Sequence, residues 1–272
     1  EFGANMPLSP EALITILNRH ATEVVWLLMI AVCFGTILFM LRMFGKVGLQ
    51  VYVVVAIIIA NIQVLKVVKF SFYSEPVALG TVLFATTYLC TDILAEHYGR
   101  AAARQTVFLG FVAYLFSTII MVLTLGFSPL MPESVGDDMA WASKNHQHMF
   151  VLFSPAPAIF AAGMTAYLIS QFHDIWLYHL VKRLTDGRWL WLRNNVSTAV
   201  SALIDNAIFS VLAWIIFSSD PLPWHTVVYT FILGTYWLRL LVATMDTPII
   251  YLARFASPND KTVDIGDSRR KH

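Results

Sequence analysis

Asp92, Asp205, Asp246 and Arg239 all stand inside long apolar runs, in the company of Asn61, Gln171, His173 and Asp174. An ionisable group at bilayer depth costs several kcal/mol unless it meets a partner or faces a wet cavity, so each is a functional candidate. One arginine can neutralise either Asp205 or Asp92, which leaves carboxylates over, and a hydrated cavity accounts for the remainder. An isolated Asn or Ser in such a run more often bridges neighbouring helices. Asp92, Glu96, Arg100 and Arg104 recur every four residues, and on one continuous helix they form a charged ladder. Glu96, Arg100 and Arg104 then make either a gate or a salt-bridge ladder closing one end, with Asp92 a turn deeper as a ligand. Arg239 and Asp246 are seven apart and share a helix face, so both are expected to line the same cavity.

Other chemistry finds less support. His146 and His148 have the spacing of two metal ligands, but no third ligand stands nearby, so no metal and no cofactor are expected. The chain lacks a His-Glu-x-x-His motif and any evident Ser and His dyad, which argues against an enzyme. Cys33 and Cys90 both lie in apolar segments and behave as small hydrophobes.

The elements that must hold these groups are set by apolarity. In 272 residues, 58% are hydrophobic and 13% charged, with mean hydropathy +0.67, more apolar surface than one soluble core can hide. A hydrocarbon layer of roughly 30 Å takes about 20 helical residues to cross. Seven runs qualify, near 24–44, 47–70, 77–96, 102–126, 156–184, 196–218 and 226–254. The expected fold class is therefore an all-α polytopic membrane protein of about seven transmembrane helices, with a six-helix core. Counting along each run puts Asn61, Gln171, Asp205 and Arg239 near the midplane, with Asp92 and Asp246 nearer the cytosol.

Residues 1–5, ahead of Met6, read as a cloning remnant. Residues 6–23 form an N-terminal interfacial helix in which Ser9-Pro10-Glu11 supplies cap, first-turn proline and acid. Residues 24–254 make one transmembrane domain and 255–272 a cytosolic basic tail. The longest connection, 127–157, carries prolines and the acids Glu133, Asp137 and Asp138 and is expected to be a surface or re-entrant loop. Basic residues collect after the odd-numbered spans, at Arg42, Lys46, Arg100, Arg104, Lys182, Arg183, Arg188, Arg193 and the tail. Arg19, Lys66, Lys69 and Lys144 fall on the other side. That asymmetry places the N-terminus outside and the C-terminus in the cytosol. Because the basic residues are dispersed, nucleic acid is not an expected partner; the lipid bilayer is, and a homo-oligomer is left open.

The segment GTVLFATTYLCTDILAEHYGRAAARQ, residues 80–105, resembles the VUT family of queuosine-precursor transporters. So do NIQVLKVVKF at 61–70, AYLISQFHDIWLYHLVK at 166–182 and WLRNNVSTAVSALIDNAIFSVLAW at 191–214. The family is similar in architecture to the substrate-binding components of energy-coupling-factor vitamin importers. Its members commonly read Phe-Pro ahead of the Thr-Asp pair, where this chain has Phe84-Ala85. The resemblance implies import, across the inner membrane, of 7-cyano-7-deazaguanine or its 7-aminomethyl relative; the intramembrane Asp92, Asp205 and Asp246 leave proton coupling and facilitated uptake both open. The ring N–H and exocyclic amine of a guanine edge suit one carboxylate, and its carbonyl needs a donor. Asp92 and Asp205 are the carboxylate candidates, Asn61 and Gln171 the amides and Tyr88 a stacking surface, beside Arg239 and Asp246. A substrate-binding component of an energy-coupling-factor importer is the alternative. A heptahelical receptor fits less well, since a retinal pigment needs a lysine where the last span has Arg239. Spans two to four and five to seven run oppositely, which permits an inverted three-helix repeat.

Overall fold

Apolar runs that cannot find water must pair their backbone groups internally, and apart from two strands of two residues each the ordered elements among the described residues are helices. The computed structural model describes residues 9–73, 75–130, 139–153 and 156–256. The expectations for residues 1–5, for Glu133, Asp137 and Asp138, and for the basic tail beyond 256 lie outside the described residues. Helix α1, Pro10–Leu17, opens with the Ser9 hydroxyl accepting from the Ala12 N–H at 3.2 Å, Pro10 in the first turn and Glu11 beside it.

The helical run Thr22–Gln63 has 42 residues, which at about 1.5 Å each would reach roughly twice the thickness of a bilayer core. It does not run straight. Gly45, at φ 55° and ψ −133°, adopts a conformation that only glycine takes freely. Gln63 Nε2 comes within 3.9 Å of Met29 Sδ, 34 positions earlier. The chain therefore doubles back at Gly45, making two antiparallel helices, α2 (22–44) and α3 (46–63). The reversal brings backbone against backbone: a Cβ on Gly48 would stand 2.2 Å from the Met40 carbonyl oxygen. Gly48→Ala is accordingly expected to destabilise the protein by about 1–3 kcal/mol through overpacking. Gly35→Ala, where no atom lies within 4 Å, serves as the neutral control. Thermal unfolding in detergent measures both, and equal melting temperatures would contradict a tight turn.

α3 stops at Gln63, short of the end expected at residue 70. Val67–Val68 instead pair antiparallel with Val77–Ala78 as β1 and β2, and Leu79 N–H donates to the Lys66 carbonyl at 2.8 Å. Lys66 and Lys69 thus sit in this small hairpin rather than in a helix. Asn61 correspondingly lies in the last turn of α3 and not at mid-helix.

Helix α4, Thr81–His97, is buried from Thr81 to Ala95 apart from the half-buried Phe84, so its polar Thr86, Thr87, Thr91 and Asp92 face protein all round. Gly99, at φ 87°, then breaks the chain before α5, Arg100–Leu125. The charged ladder read across residues 92–104 is therefore not one helix face, because the intervening glycine takes a backbone conformation that no α-helix contains. Ala102, Thr106 and Gly110, a small-residue stripe on α5, let its neighbours close in. At Gly110 the Ile57 side chain and the Tyr167 hydroxyl fill the space a Cβ would need.

Helix α6, Ala140–Phe153, occupies part of the connection expected to be a loop, and a bend of 44° leads into α7, Ala156–Leu184. Helix α8, Leu190–Ile216, ends in a π-helical turn over Leu212–Ile216. Helix α9, Trp224–Ala256, carries a longer π-helical stretch over Val227–Gly234. By length and apolarity, Thr22–Gln63, Arg100–Leu125, Leu190–Ile216 and Trp224–Ala256 can cross a membrane, and the bent pair of α6 and α7 adds a fifth candidate. Their outward faces carry Val32, Phe39, Met43, Phe108, Phe116 and Leu123, all exposed, as lipid contact requires. The chain is a multi-pass, all-α membrane protein.

Candidate functional site

Helices α4, α7, α8 and α9 meet at Asp205. Arg239 Nη1 donates to Asp205 Oδ2 at 2.5 Å, and the Ser170 hydroxyl donates to Oδ1 at 3.0 Å. Tyr88 OH in turn donates to Ser170 at 2.9 Å, so three helices contribute to fixing one carboxylate. The Arg239 guanidinium lies 5.3 Å from the centre of the Phe84 ring, within cation–π range. Its Nε is buried and has no acceptor.

Asp205, Arg239 and Phe84 line a cavity of about 40 Å³, bounded also by Asn61, Asn206, Phe231 and Thr235. That is room for a few waters and not for a purine. In this conformation Arg239 itself takes the place beside Asp205. The π-helical stretch of α9 forms one wall. Asn206 Nδ2 serves it by donating to the Ile232 carbonyl at 3.1 Å and to Thr235 Oγ1 at 2.8 Å. Such widened turns leave backbone groups that a plain α-helix would pair, and they occur disproportionately at functional sites. Asn61 spends its Nδ2 on the Ile57 carbonyl at 2.8 Å. Its Oδ1 points toward Gly163, where a Cβ would approach it to 3.1 Å. Asn61 also forms part of the wall of a second, more apolar cavity of about 350 Å³ between α3, α5 and the α6–α7 bend.

The structure thus brings Asn61, Asp205 and Arg239 to one cavity and leaves the other sequence candidates elsewhere. Tyr88 stands behind the cavity as a support for Ser170, and the ring that faces Arg239 is Phe84. Gln171 is fully committed as a bridge between helices, donating to Thr87 Oγ1 at 2.8 Å and accepting from Thr91 Oγ1 at 3.2 Å. Asp246 accepts from Asn194 Nδ2 at 2.8 Å. Asp92 lies a turn beyond Tyr88, against Asp174 of α7. Arg239 and Asp246, on one face as the spacing required, therefore serve two different clusters.

The end of the bundle that holds Glu96 is tied by ions. Glu96 receives Lys182 at 2.8 Å, Arg193 at 2.7 Å and the Tyr178 hydroxyl at 3.1 Å. Arg100 and Arg104, beyond the Gly99 break, do not pair with it. Arg193 looked like one more loop arginine, yet it is 1% exposed. The neighbouring Asn194, Ser197 and Thr198 are polar at helical spacing, which was the available signal that this face turns inward. Asn206 was visible as one of the polar residues inside its span, next to Asp205, whereas Ser170, next to Gln171, was not singled out.

A family model described as "Putative vitamin uptake transporter" matches residues 78–253, which include Asp205, Arg239, Asp92 and Asp246. A "Probable queuosine precursor transporter" of Bacillus subtilis (strain 168) is 33% identical over 238 residues, 87% of this chain and 96% of that protein. No solved structure matches.

Proposed function

The chain belongs to the VUT family of vitamin uptake transporters, and from that premise we propose that it imports queuosine precursors, 7-cyano-7-deazaguanine or its aminomethyl relative, across the cytoplasmic membrane. The observation that carries the reading is the Asp205 and Arg239 pair at the wall of a buried cavity. The ring N–H and exocyclic amine of a deazaguanine present the same side-by-side donors as a guanidinium. Arg239 on Asp205 is therefore a resident stand-in for the base. When substrate arrives, its donor edge takes Asp205, and Arg239 swings to offer the unpartnered Nε to the base carbonyl. Asn61 Oδ1 and Phe84 supply an acceptor and a ring face. The cavity enlarges as Arg239 leaves.

In the same reading the membrane is crossed seven times, by α2, α3, α4, α5, α7, α8 and α9, with the N-terminus outside and the C-terminus in the cytosol. The reversal at Gly45 and the asymmetry of basic residues support this, and the two triplets α3 to α5 and α7 to α9 are related as inverted repeats. Uptake of labelled 7-cyano-7-deazaguanine into cells unable to synthesise it tests the proposal. Expression of this chain is expected to raise uptake well above the empty-vector level. Uptake equal to that level, with the protein present in the membrane, would remove the reading.

A further inference from the structure

Asp92 of α4 and Asp174 of α7, each 0% exposed, stand opposite one another between two hydrogen bonds that join these helices four residues to either side, Tyr88 to Ser170 at 2.9 Å and Tyr178 to Glu96 at 3.1 Å. None of their four oxygens receives a hydrogen bond from any other group. The hydroxyls of Ser197 and Ser201 stand alongside, but the first is turned to the Asn194 carbonyl and the second to His173 Nδ1. Among the described residues no Lys, Arg or His forms an ion pair with either acid. Arg193 of α8, whose charge reaches Asp92, is spent on Glu96, Tyr178 and the Gly187 carbonyl.

Two carboxylates in contact cannot both stay ionised in a buried site, so at least one proton must lie between them. An independent sign points the same way. Asn194 gives its amide to Asp246 of α9, beside the pair, and its own Oδ1 is buried with no donor. Asp246 Oδ2 and Thr198 Oγ1 are likewise without partners. The site therefore holds more buried acceptors than donors. The remaining titratable groups around it are Tyr178 and His173 of α7, Glu96 and Cys90 of α4, and Tyr52 of α3, which reaches Thr86 and the neighbourhood of Cys90. Among the described residues no three His, Cys, Asp or Glu side chains are placed to hold one metal ion.

Position gives the pair a role. Asp92 is four residues from Tyr88, and Asp174 is four from Ser170, the two groups that hold Asp205 in place. The carboxyl pair thus sits one helical turn, about 6 Å, along the same two helices. We propose that Asp92 and Asp174 form a proton-binding site through which an inward proton gradient drives uptake. The inference rests on the transport reading for its coupling partner, and on the carboxyl contact alone for the proton. A proton entering with substrate takes the pair from one shared proton to two and leaves both carboxyls neutral. Its release at the Glu96 end returns the pair to one shared proton and one negative charge and resets the transporter.

The purified full chain in liposomes tests this in two ways. Infrared difference spectra should contain the carbonyl stretch of a protonated carboxylic acid near neutral pH, lost or shifted in both Asp92→Asn and Asp174→Asn. No change in either variant would overturn the proton site whatever the substrate is. With an inside-alkaline gradient of about one pH unit, one coupled proton concentrates labelled deazaguanine about tenfold. Asp174→Asn should reach only the external concentration while still exchanging labelled for unlabelled base. Accumulation by Asp174→Asn equal to that of the unaltered protein would overturn coupling through this pair. So would exchange by the unaltered protein that responds to a sodium gradient and not to pH. Absence of any exchange by the unaltered protein would instead overturn the substrate reading, and the infrared band would still decide the site.

Discussion

Asp205→Ala should lower uptake of labelled 7-cyano-7-deazaguanine by about a hundredfold or more, since two charge-assisted hydrogen bonds to the base are lost together. The variant also leaves Arg239 buried and unpaired, which costs about 3–5 kcal/mol of stability. The two effects separate in a double variant. Asp205→Asn with Arg239→Gln removes both charges and keeps the shapes, so melting in detergent should return toward that of the unaltered protein. Uptake should not return, because the amide presents an N–H where the base requires a second acceptor. Recovered stability with recovered uptake would mean that the pair only joins α8 to α9. Surface labelling or immunoblotting of membranes fixes the amount of protein against which uptake is expressed.

The second large effect is expected at the opposite end of the bundle. Arg193 donates to Glu96, to the Tyr178 hydroxyl at 3.1 Å and to the Gly187 carbonyl at 2.9 Å. Its guanidinium lies 5.4 Å from the centre of the Tyr178 ring. Removing it strands Glu96 with the partly exposed Lys182 and frees the turn between α7 and α8. There Asp186 and Trp189 already hold positive φ of 49° and 54°, a conformation that non-glycine residues adopt at a cost. Arg193→Ala is expected to cost about 3–5 kcal/mol, read as a lower melting temperature in detergent. Arg193→Lys should recover little, because an ammonium cannot reproduce the planar fork that reaches several acceptors together. Adding Glu96→Gln to Arg193→Ala should recover part of the loss by removing the stranded charge. Equal stability of Arg193→Ala and the unaltered protein would show that the cluster contributes nothing measurable.

Composition and periodicity were enough to state that the chain crosses membranes as helices, because lipid leaves the backbone no other way to pair its polar groups. The Ser9 cap, the shared face of Arg239 and Asp246 and the arginine's need for a carboxylate were also visible in residue order. Spacing along one helix fixes which side chains share a face. It does not fix how far that helix is rotated against its neighbours, and that rotation chose Asp205 over Asp92 as the partner of Arg239. The same limit hid the contact of Asp92 with Asp174, which are 82 positions apart on different helices. It also hid the burial of Arg193, an arginine that hydropathy assigns to a loop. Where a local signal was present it was outweighed. Gly99 stood between Glu96 and Arg100, but the four-residue spacing of the charges is helical only if the backbone stays helical, and the positive φ of Gly99 ended that. Residue order decided which groups had to be taken out of water; the packing of α4, α7, α8 and α9 decided which of them met, because contacts between helices depend on rotation and depth that no single helix encodes.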